Sequence, residues 1–260
     1  MNLLAFDTST DRLSIAVSRG SALGVSQEAA RVWQHSGDGG AQASVALIPA
    51  IQALMGQAEL HFDGLDAIAF GKGPGSFTGL RTACSVAQGL AFGAGVPVLP
   101  VDTLLAVAEE ARQQWGRARP VGQVESMGVI AVLDARMDEV YAACYEWDGS
   151  YWKQLGNDVL TRPETLLQAL ADTAPGAVEQ RNDWLIAGNA AAAYGERLPI
   201  MASAPVHALP SAAAMLRLVP MLLASGHAVP ADQALPTYIR DKVAKTTLER
   251  QTEKDARSAT

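Results

Sequence analysis

Two aspartates occupy equivalent places in the sequence and could together bind a metal–nucleotide complex. Asp7 follows the apolar run Leu3–Phe6, and Asp134 follows Val129–Leu133. Such runs are typical of buried central strands, and a carboxylate at the end of one lies at the sheet edge where α/β proteins bind ligands. Two facing carboxylates could hold Mg²⁺ through water while turn amides bind phosphates. The candidate nucleotide-site residues are Asp7, Thr8, Ser9, Asp134, Ala135 and Gly188.

The turns after both aspartates argue against an intact nucleotide site. A backbone that approaches phosphate closely favours glycine directly after the Asp, but this chain has Thr8 and Ala135 there. A β-carbon at either position obstructs the approach and any positive-φ geometry. The two aspartates could also simply cap their turns. The residues therefore predict a degenerate cleft with no catalytic residue, and an ATP-dependent small-molecule kinase or ATPase is the alternative.

A glycine-rich segment over Gly71–Gly79 has the composition of a phosphate loop but not its spacing. It matches neither the Walker pattern nor GxGxxG. We expect a loop over 71–75 and a helix from the N-cap Ser76 to about Phe92. Positions 75, 79, 83, 87 and 91 of this segment are all Gly or Ala, which forms a ridge that allows close helix packing.

Two alternatives explain this small-residue ridge, and periodicity does not separate them. The ridge could pack on the chain's own sheet, or it could form a subunit interface with the helix predicted over 45–55. On the second alternative, Gly79→Arg or Ala83→Arg would leave the monomer folded and abolish partner binding. The candidate interface residues are Gly75, Phe77, Thr78, Gly79, Ala83, Ala87, Ile48, Ile51 and Met55.

The sequence predicts neither a metal site nor nucleophilic catalysis. The four histidines at 35, 61, 207 and 227 lack the spacing of metal ligands, and His35 is interpreted as a solvated loop residue. Cys84 and Cys144 form no CxxC pair, and no serine lies in a GxSxG motif.

The predicted elements repeat along the chain. We expect strands over 3–6, 13–17, 22–29, 66–70 and 96–101, with helices over 45–55, 76–92 and 104–115. Pro49 could mark the start of the first helix, and Asp102 caps the third. The second half repeats this order with strands over 129–133, 140–147, 151–155 and 184–187, and helices over 164–171, 190–198 and 212–224. An internal duplication of an α/β unit explains the pattern.

Length, charge and composition limit the class of protein. The chain has 260 residues, of which 49% are hydrophobic and 18% charged, so it is not a disordered chain. A net charge of −7 disfavours direct binding to nucleic acid, and another subunit would have to supply positive surface. The longest uncharged stretch, 82–101, is interrupted by Gly and Pro, and the N-terminus lacks a basic signal region. We therefore expect a cytoplasmic protein without membrane contact.

Four motifs resemble those of one bacterial family. They are Leu4–Thr10, Gly73–Arg81, Asp134–Tyr141 and Pro236–Arg240, in that order over nearly the whole chain. Together they resemble the TsaB (YeaZ) family of tRNA threonylcarbamoyladenosine biosynthesis proteins, within the actin/sugar-kinase/Hsp70-like superfamily. The resemblance implies two duplicated ribonuclease-H-like lobes with mixed sheets flanked by helices. The expected boundaries are 1–103, completed by helix 211–226, then 104–210, and a partly mobile extension over 227–260.

The resemblance also implies a function. A family member is a non-catalytic subunit that helps to transfer threonylcarbamoyl to N6 of adenosine 37 in ANN-decoding tRNAs. Its partners are a TsaD-like transferase and a TsaE-like ATPase, it pairs with itself when alone, and it meets tRNA only through the complex. The first-lobe helices form the partner interface. No cofactor is tightly bound, and ATP or ADP with Mg²⁺ has a place only at that interface.

Overall fold

The computed structural model describes residues 1–20, 31–117, 126–176 and 184–240. The first half contains strands β1 (Leu3–Asp7), β2 (Arg12–Arg19), β3 (Arg31–Asp38), β4 (Ala67–Gly73) and β5 (Val98–Asp102), with helices α1 (Ala43–Gln57), α2 (Phe77–Ala94) and α3 (Thr103–Arg117). The second half contains β6 (Met127–Arg136), β7 (Glu139–Trp147), β8 (Trp152–Thr161), β9 (Leu185–Gly188) and β10 (Val206–His207), with α4 (Leu166–Thr173), α5 (Ala190–Tyr194) and α6 (Ala212–Ala224).

The two five-stranded sheets have the same topology. Their strand orders are β3-β2-β1-β4-β5 and β8-β7-β6-β9-β10. In each sheet, the central strand (β1 or β6) pairs antiparallel with the next strand in the chain, which is β2 or β7. It pairs parallel with the fourth strand of its own half, which is β4 or β9. The predicted duplicated α/β fold is therefore confirmed, and the two aspartates lie at equivalent places in it.

Two helices lie between the sheets and join them. α6 packs on β1, β2 and β4, although it follows the second sheet in the chain, while α3 packs on β6 and β9 and also against α6. Both helices bury apolar side chains in one core shared with the inner faces of the two sheets. Burial of this apolar surface stabilises the pairing of the two halves. The proposed boundaries at 103, 210 and 227 remain predictions.

Several local predictions are confirmed and others are wrong. Asp102 caps α3 as predicted, because its Oδ1 accepts hydrogen bonds from the amides of Leu104 (2.9 Å) and Leu105 (3.2 Å). Ser76 does occupy the N-cap of α2, but its side chain makes no capping hydrogen bond. Pro49 lies inside α1 instead of at its start. The expected loop over 71–75 begins three residues later, since β4 extends to residue 73.

The predictions for the third strand and for the C-terminal extension fall partly on residues outside the described ranges, which in the extension are residues 241–260. The strand predicted over 22–29 falls on residues outside the described ranges, and the observed β3 occupies 31–38. His35 is exposed on that strand and does not lie in a loop. Of the predicted extension over 227–260, the described residues 227–240 pack on the rest of the protein: Val229 bridges to Val98, and Ala234 is fully buried.

Candidate functional site

The first-lobe aspartate is enclosed by protein. Asp7 ends β1 and is fully buried. Its Oδ1 accepts hydrogen bonds from the amide (2.9 Å) and the hydroxyl (2.7 Å) of Ser9. Its Oδ2 is buried without a hydrogen-bond partner, and burial raises the pKa of this carboxyl to about 7, against the smaller lowering effect of the Ser9 bonds. A carboxyl with this pKa is about half protonated near neutral pH.

The glycine-rich segment forms this enclosure. A β-carbon on Gly71 would lie 1.9 Å from Asp7 Oδ2, and one on Gly79 would lie 1.8 Å from the carbonyl oxygen of Thr8. The hydroxyl of Thr8 donates to the Gly79 carbonyl at 2.7 Å, and the Ser76 amide donates to the Ser9 carbonyl at 2.7 Å. Glycine is required at 71 and 79 because the backbone approaches the turn so closely. The start of α2 thus covers the turn.

The second-lobe aspartate faces the cleft but is already engaged. Asp134 has a side chain that is 10% exposed, and its Oδ2 lies 3.1 Å from Nη1 of Arg136. Its Oδ1 accepts from the amide of Arg136 (2.8 Å) and from the hydroxyl of Tyr194 (2.8 Å). The amide of Asp134 donates to Oδ1 of Asn189 at 2.8 Å. Backbone, hydroxyl and guanidinium groups therefore share the carboxylate.

A cavity of about 320 Å³ separates the two turns. Asp134, Ala135 and Ser9 line it, whereas Asp7, Thr8 and Gly188 do not. Gly188 instead packs where a β-carbon would lie 1.8 Å from the Val132 carbonyl oxygen, at φ +143°. The expectation that Asp7 and Asp134 face each other across an open cleft is wrong, because the start of α2 covers the turn after β1. The other lining residues are Thr10, Asp11, Gly40, Gly75, Ser76, Phe77, Leu133, Arg136, Tyr141, Asn189, Thr237, Tyr238, Ile239 and Arg240.

These residues do not fit a magnesium nucleotide held by this chain alone. Water-mediated metal binding needs accessible, ionised carboxylates, but Asp7 is sealed and Asp134 is paired with a cation. In the first turn, the amide of Ser9 already donates to Oδ1 of Asp7, and residues 76 and 79 close on the carbonyl oxygens of Ser9 and Thr8, so this amide is not free to bind phosphate. Among the described residues, no group of three His, Cys, Asp or Glu side chains is placed to hold a metal ion.

Sequence reasoning missed three residues that line the cleft and one, Tyr194, that supports a cleft residue. Asn189 and Tyr194 bond Asp134, and Tyr238 and Arg240 reach the cleft from the C-terminal segment. Asn189 and Tyr194 follow β9 at the edge where the second aspartate lies, so their place after that strand was a usable signal. The motif at 236–240 was visible, but no pattern in it shows that an irregular segment returns to the cleft.

The predicted interface residues divide between two faces of the first-lobe helices. Gly79, Ala83, Ala87, Ile51 and Met55 are buried in the chain's own core, and Gly75 is half-buried against Ser9. The small-residue ridge therefore packs within the chain, and its assignment to a partner interface is wrong. Arginine at 79 or 83 would disrupt the fold and so cannot test partner binding. Ile48, Phe77 and Thr78 are exposed.

A different set of small and apolar residues covers the outer face of α1 and α2. Phe92 is 84% exposed, Val45 74% and Ile48 44%. Gly89 and Gly93 lie on the exposed face of α2, and a β-carbon on either would meet nothing within 4 Å. α1 and α2 contact each other, and we call these five exposed positions on the two helices the outer helix face. No helix among the described residues is long and apolar enough to span a membrane.

Comparisons with known proteins agree with the two-lobed geometry. Residues 39–249 match the family model "TsaD: tRNA N6-adenosine threonylcarbamoyltransferase". The chain is 31% identical to tRNA threonylcarbamoyladenosine biosynthesis protein TsaB of Haemophilus influenzae, over 94% of this chain and 95% of that protein. It is 29% identical to the protein of the same name in Escherichia coli, over 94% and 96%.

A solved structure shows the same arrangement. YeaZ from Pseudomonas aeruginosa superposes with a TM-score of 0.74 at 34% identity and covers 92% of this chain and 99% of its own. Sequence identity and fold coincide over almost the full length of each of these relatives. The chain therefore belongs to the TsaB (YeaZ) family and has a role in the biosynthesis of tRNA threonylcarbamoyladenosine.

Proposed function

We propose that this chain is a non-catalytic subunit that supports threonylcarbamoyl transfer to N6 of adenosine 37 in ANN-decoding tRNAs. It acts with a TsaD-like transferase and a TsaE-like ATPase in the cytoplasm. The observation that carries the proposal is the burial of Asp7 behind the chain's own glycine segment. A subunit whose first phosphate-binding turn is covered contributes surface and not chemistry.

The outer helix face is the surface proposed to bind the transferase. Its exposed apolar side chains at 45, 48 and 92 are costly in water and gain free energy when a partner covers them. They also lie on the lobe that the family resemblance assigns to the interface.

Gly89 and Gly93 give a second, independent reason for a partner. A glycine inside a helix costs about 0.5–1 kcal/mol relative to alanine. Nothing in the described part of the chain needs either residue, because both β-carbon positions open into free space. Close approach of another helix is the physical reason to keep them. The two glycines therefore mark where the partner helix crosses α2.

The partner on this face is proposed to be a chain of the same fold. The match of residues 39–249 to the TsaD family model means that a TsaD-like transferase would carry related first-lobe helices. Related helix pairs can meet about a pseudo-twofold axis, and two copies of this chain can pair in the same way when the transferase is absent. ATP or ADP with Mg²⁺ is proposed only at this interface. The net charge of −7 supports tRNA binding through the complex alone.

Reconstitution of tRNA modification with and without this chain tests the proposal. We expect the transferase and the ATPase to require it, Asp7→Asn to retain activity, and Gly93→Arg to abolish both activity and co-purification of the transferase. Gly116→Arg is the matched control, because Gly116 is also helical with free space at its β-carbon, but lies in the last turn of α3. Full activity of Gly93→Arg would contradict the proposed surface.

The kinase or ATPase alternative has its own readout. ATP turnover by the isolated chain that Asp7→Asn removes would favour an enzyme over a scaffold. We expect no turnover in either protein, since the carboxyl that would act on the nucleotide is sealed.

A further inference from the structure

One irregular segment near the C-terminus contacts both lobes at the cleft. Residues 236–240, which we call the strap, run from the first lobe to the second. The amide of Thr237 donates to the carbonyl oxygen of Lys72 at 2.7 Å. Gly73 has no room for a β-carbon there, because it would lie 2.4 Å from the Thr237 carbonyl oxygen. The strap is thus fixed to the end of β4 by backbone contacts.

A side-chain stack holds the strap to α2. The ring centroids of Tyr238 and Phe77 are 5.2 Å apart, and the guanidinium of Arg81 lies 3.9 Å from the centroid of Phe77. Nε of Arg81 also donates to the Tyr238 hydroxyl at 3.3 Å. Aromatic and cation–π contacts of this kind are favourable and add to the backbone contacts of the strap. The first-lobe anchor therefore combines backbone, aromatic and cationic contacts.

Arg240 forms the second-lobe anchor. Its Nη2 donates to Oε2 of Glu139 (2.5 Å), to the carbonyl oxygen of Ala135 (3.1 Å) and to that of Arg136 (3.4 Å). Its Nη1 lies 3.1 Å from the sulfur of Met137. The side chain of Arg240 is only 14% exposed. One guanidinium thus holds the whole turn between β6 and β7.

This turn has a backbone that needs such support. Arg136, Met137 and Asp138 have φ values of +60°, +57° and +63°, a left-handed conformation that non-glycine residues rarely adopt. Strained residues of this kind persist only where the surroundings fix them. Arg240 fixes the turn from the strap side. Arg197 does so within the second lobe, through Asp138 (2.9 Å) and Glu164 (2.5 Å).

In two-lobed proteins, a ligand that contacts both lobes holds the cleft closed. Here the strap makes contacts to both lobes, and of the two strand-end aspartates Asp7 is sealed and Asp134 is paired. We propose that the strap takes the place of a ligand as the tie between the lobes at the cleft, in addition to the core shared by α3 and α6, so that the spacing of the lobes across the cleft does not depend on magnesium nucleotide. Arg240 is the positioning residue of this tie. The inference goes beyond the proposed function and holds whichever partner binds.

Inter-lobe distances in the full-length protein test the tie. Spin labels on cysteines introduced at Asp63 and Lys153 report the spacing, because both positions are exposed on different lobes while native Cys84 and Cys144 are buried. Labelled protein is diluted into unlabelled protein to remove distances between copies. We compare Arg240→Met with the matched control Arg197→Met, which loosens the same turn without touching the strap.

We expect Arg240→Met to broaden the distance distribution and to raise hydrogen exchange at the Thr237 amide about tenfold or more, the factor that one hydrogen bond to a charged group represents. Arg197→Met should change neither. Millimolar Mg²⁺–ATP should leave the wild-type distribution unchanged. If Arg240→Met does not fold, Glu139→Gln weakens the same tie and should shift both readouts in the same direction. An unchanged distribution in the folded variant, or a distribution that narrows with Mg²⁺–ATP, would overturn the proposal.

Discussion

The two lobes share one topology and treat their equivalent aspartates in opposite ways. Asp7 ends the central strand of the first sheet and is fully buried, with no hydrogen-bond partner on Oδ2. Asp134 lies near the end of the matching strand, lines the cleft and pairs with Arg136 at 3.1 Å. The first lobe suppresses the charge by burial, which raises the pKa, whereas the second neutralises it with a cation.

This difference shows which parts of a duplicated fold set its chemistry. Strand order and the position of each aspartate are the same in both lobes. What differs is the group that contacts each aspartate and its turn. In the first lobe the start of α2 covers the turn, and in the second lobe the guanidinium of Arg136 pairs with the carboxylate. Access and charge pairing, not topology, therefore decide whether such a cleft can bind a nucleotide.

The largest effect is expected from filling the close contact over the first turn. Gly79→Ala places a β-carbon 1.8 Å from the Thr8 carbonyl oxygen, so the backbone must move. We expect a loss of about 4 kcal/mol or more in the free energy of unfolding, or failure to fold. Urea unfolding measures it. Gly89→Ala, on the exposed face of the same helix, should instead stabilise the monomer by about 0.5–1 kcal/mol.

Equal, small effects of the two substitutions would mean that α2 does not cover the turn as described. The second lobe offers a parallel test, since a β-carbon on Gly188 would lie 1.8 Å from the Val132 carbonyl oxygen. We expect Gly188→Ala to lower the free energy of unfolding by as much as Gly79→Ala. The added β-carbon would separate β9 from β6, where Gly188 pairs with Val132.

The next largest effect is the pH dependence of stability, which we expect from Asp7 and not from Asp134. Asp7 has a folded-state pKa of about 7 against 3.8 for the exposed group, so the folded protein binds the extra proton between these values. Its contribution to stability is complete below about pH 4 and is lost as the pH rises to about 7. The loss is a few kcal/mol, since one pKa unit corresponds to about 1.4 kcal/mol. Asp7→Asn removes this pH dependence and should be more stable than wild type at pH 8, by thermal unfolding across pH.

Asp134→Asn is the control for that experiment. Its carboxylate pairs with Arg136 at the cleft, so the substitution removes a favourable contact and should not raise stability at pH 8. If both variants gained stability there, or if neither did, the contrast between the lobes would be wrong.

Part of this contrast between the two lobes can be predicted from the sequence. The apolar runs before Asp7 and Asp134 predict the two central strands and hence the duplication, because buried strands have a simple local signature. The ridge at 75–91 was visible as well. Helical periodicity shows that one face is small but not which sheet or chain it packs on, so its assignment needed the fold.

The cleft itself was the least predictable part. The burial of Asp7 depends on contact with residues 71–79, and the engagement of Asp134 depends on Tyr194 and Asn189, sixty and fifty-five positions later. Such long-range contacts leave no periodic trace. The exposed glycines at 89 and 93 are recognisable in the sequence, because glycine inside a helix is unfavourable and nothing in the local pattern explains its presence.

A smaller effect tests the support behind the second aspartate. The hydroxyl of Tyr194 donates to Oδ1 of Asp134 at 2.8 Å and also lies 3.1 Å from the carbonyl oxygen of Glu139. Tyr194→Phe removes these contacts without changing the ring, and we expect a loss of about 1–2 kcal/mol in urea unfolding. Among the residues that the structure describes, no hydroxyl from another element reaches Asp7, and Ser9 of the same turn provides the hydrogen bonds to its carboxyl. A loss near zero would mean that the second carboxylate is held by Arg136 alone.

The smallest effect is expected from the cation that pairs with Asp134. The Arg136 side chain is 76% exposed, so water and salt screen its pairing with the carboxylate at 3.1 Å. Arg136→Met should cost less than about 1 kcal/mol, and the difference from wild type should shrink further as salt is added. The backbone contribution is retained, because the Arg136 amide still donates to Asp134 Oδ1 at 2.8 Å in any residue at this position. Thermal unfolding at low and high salt measures both quantities. A large, salt-independent loss would place this ion pair in a buried environment and would make the two lobes alike in how they isolate their aspartates from solvent.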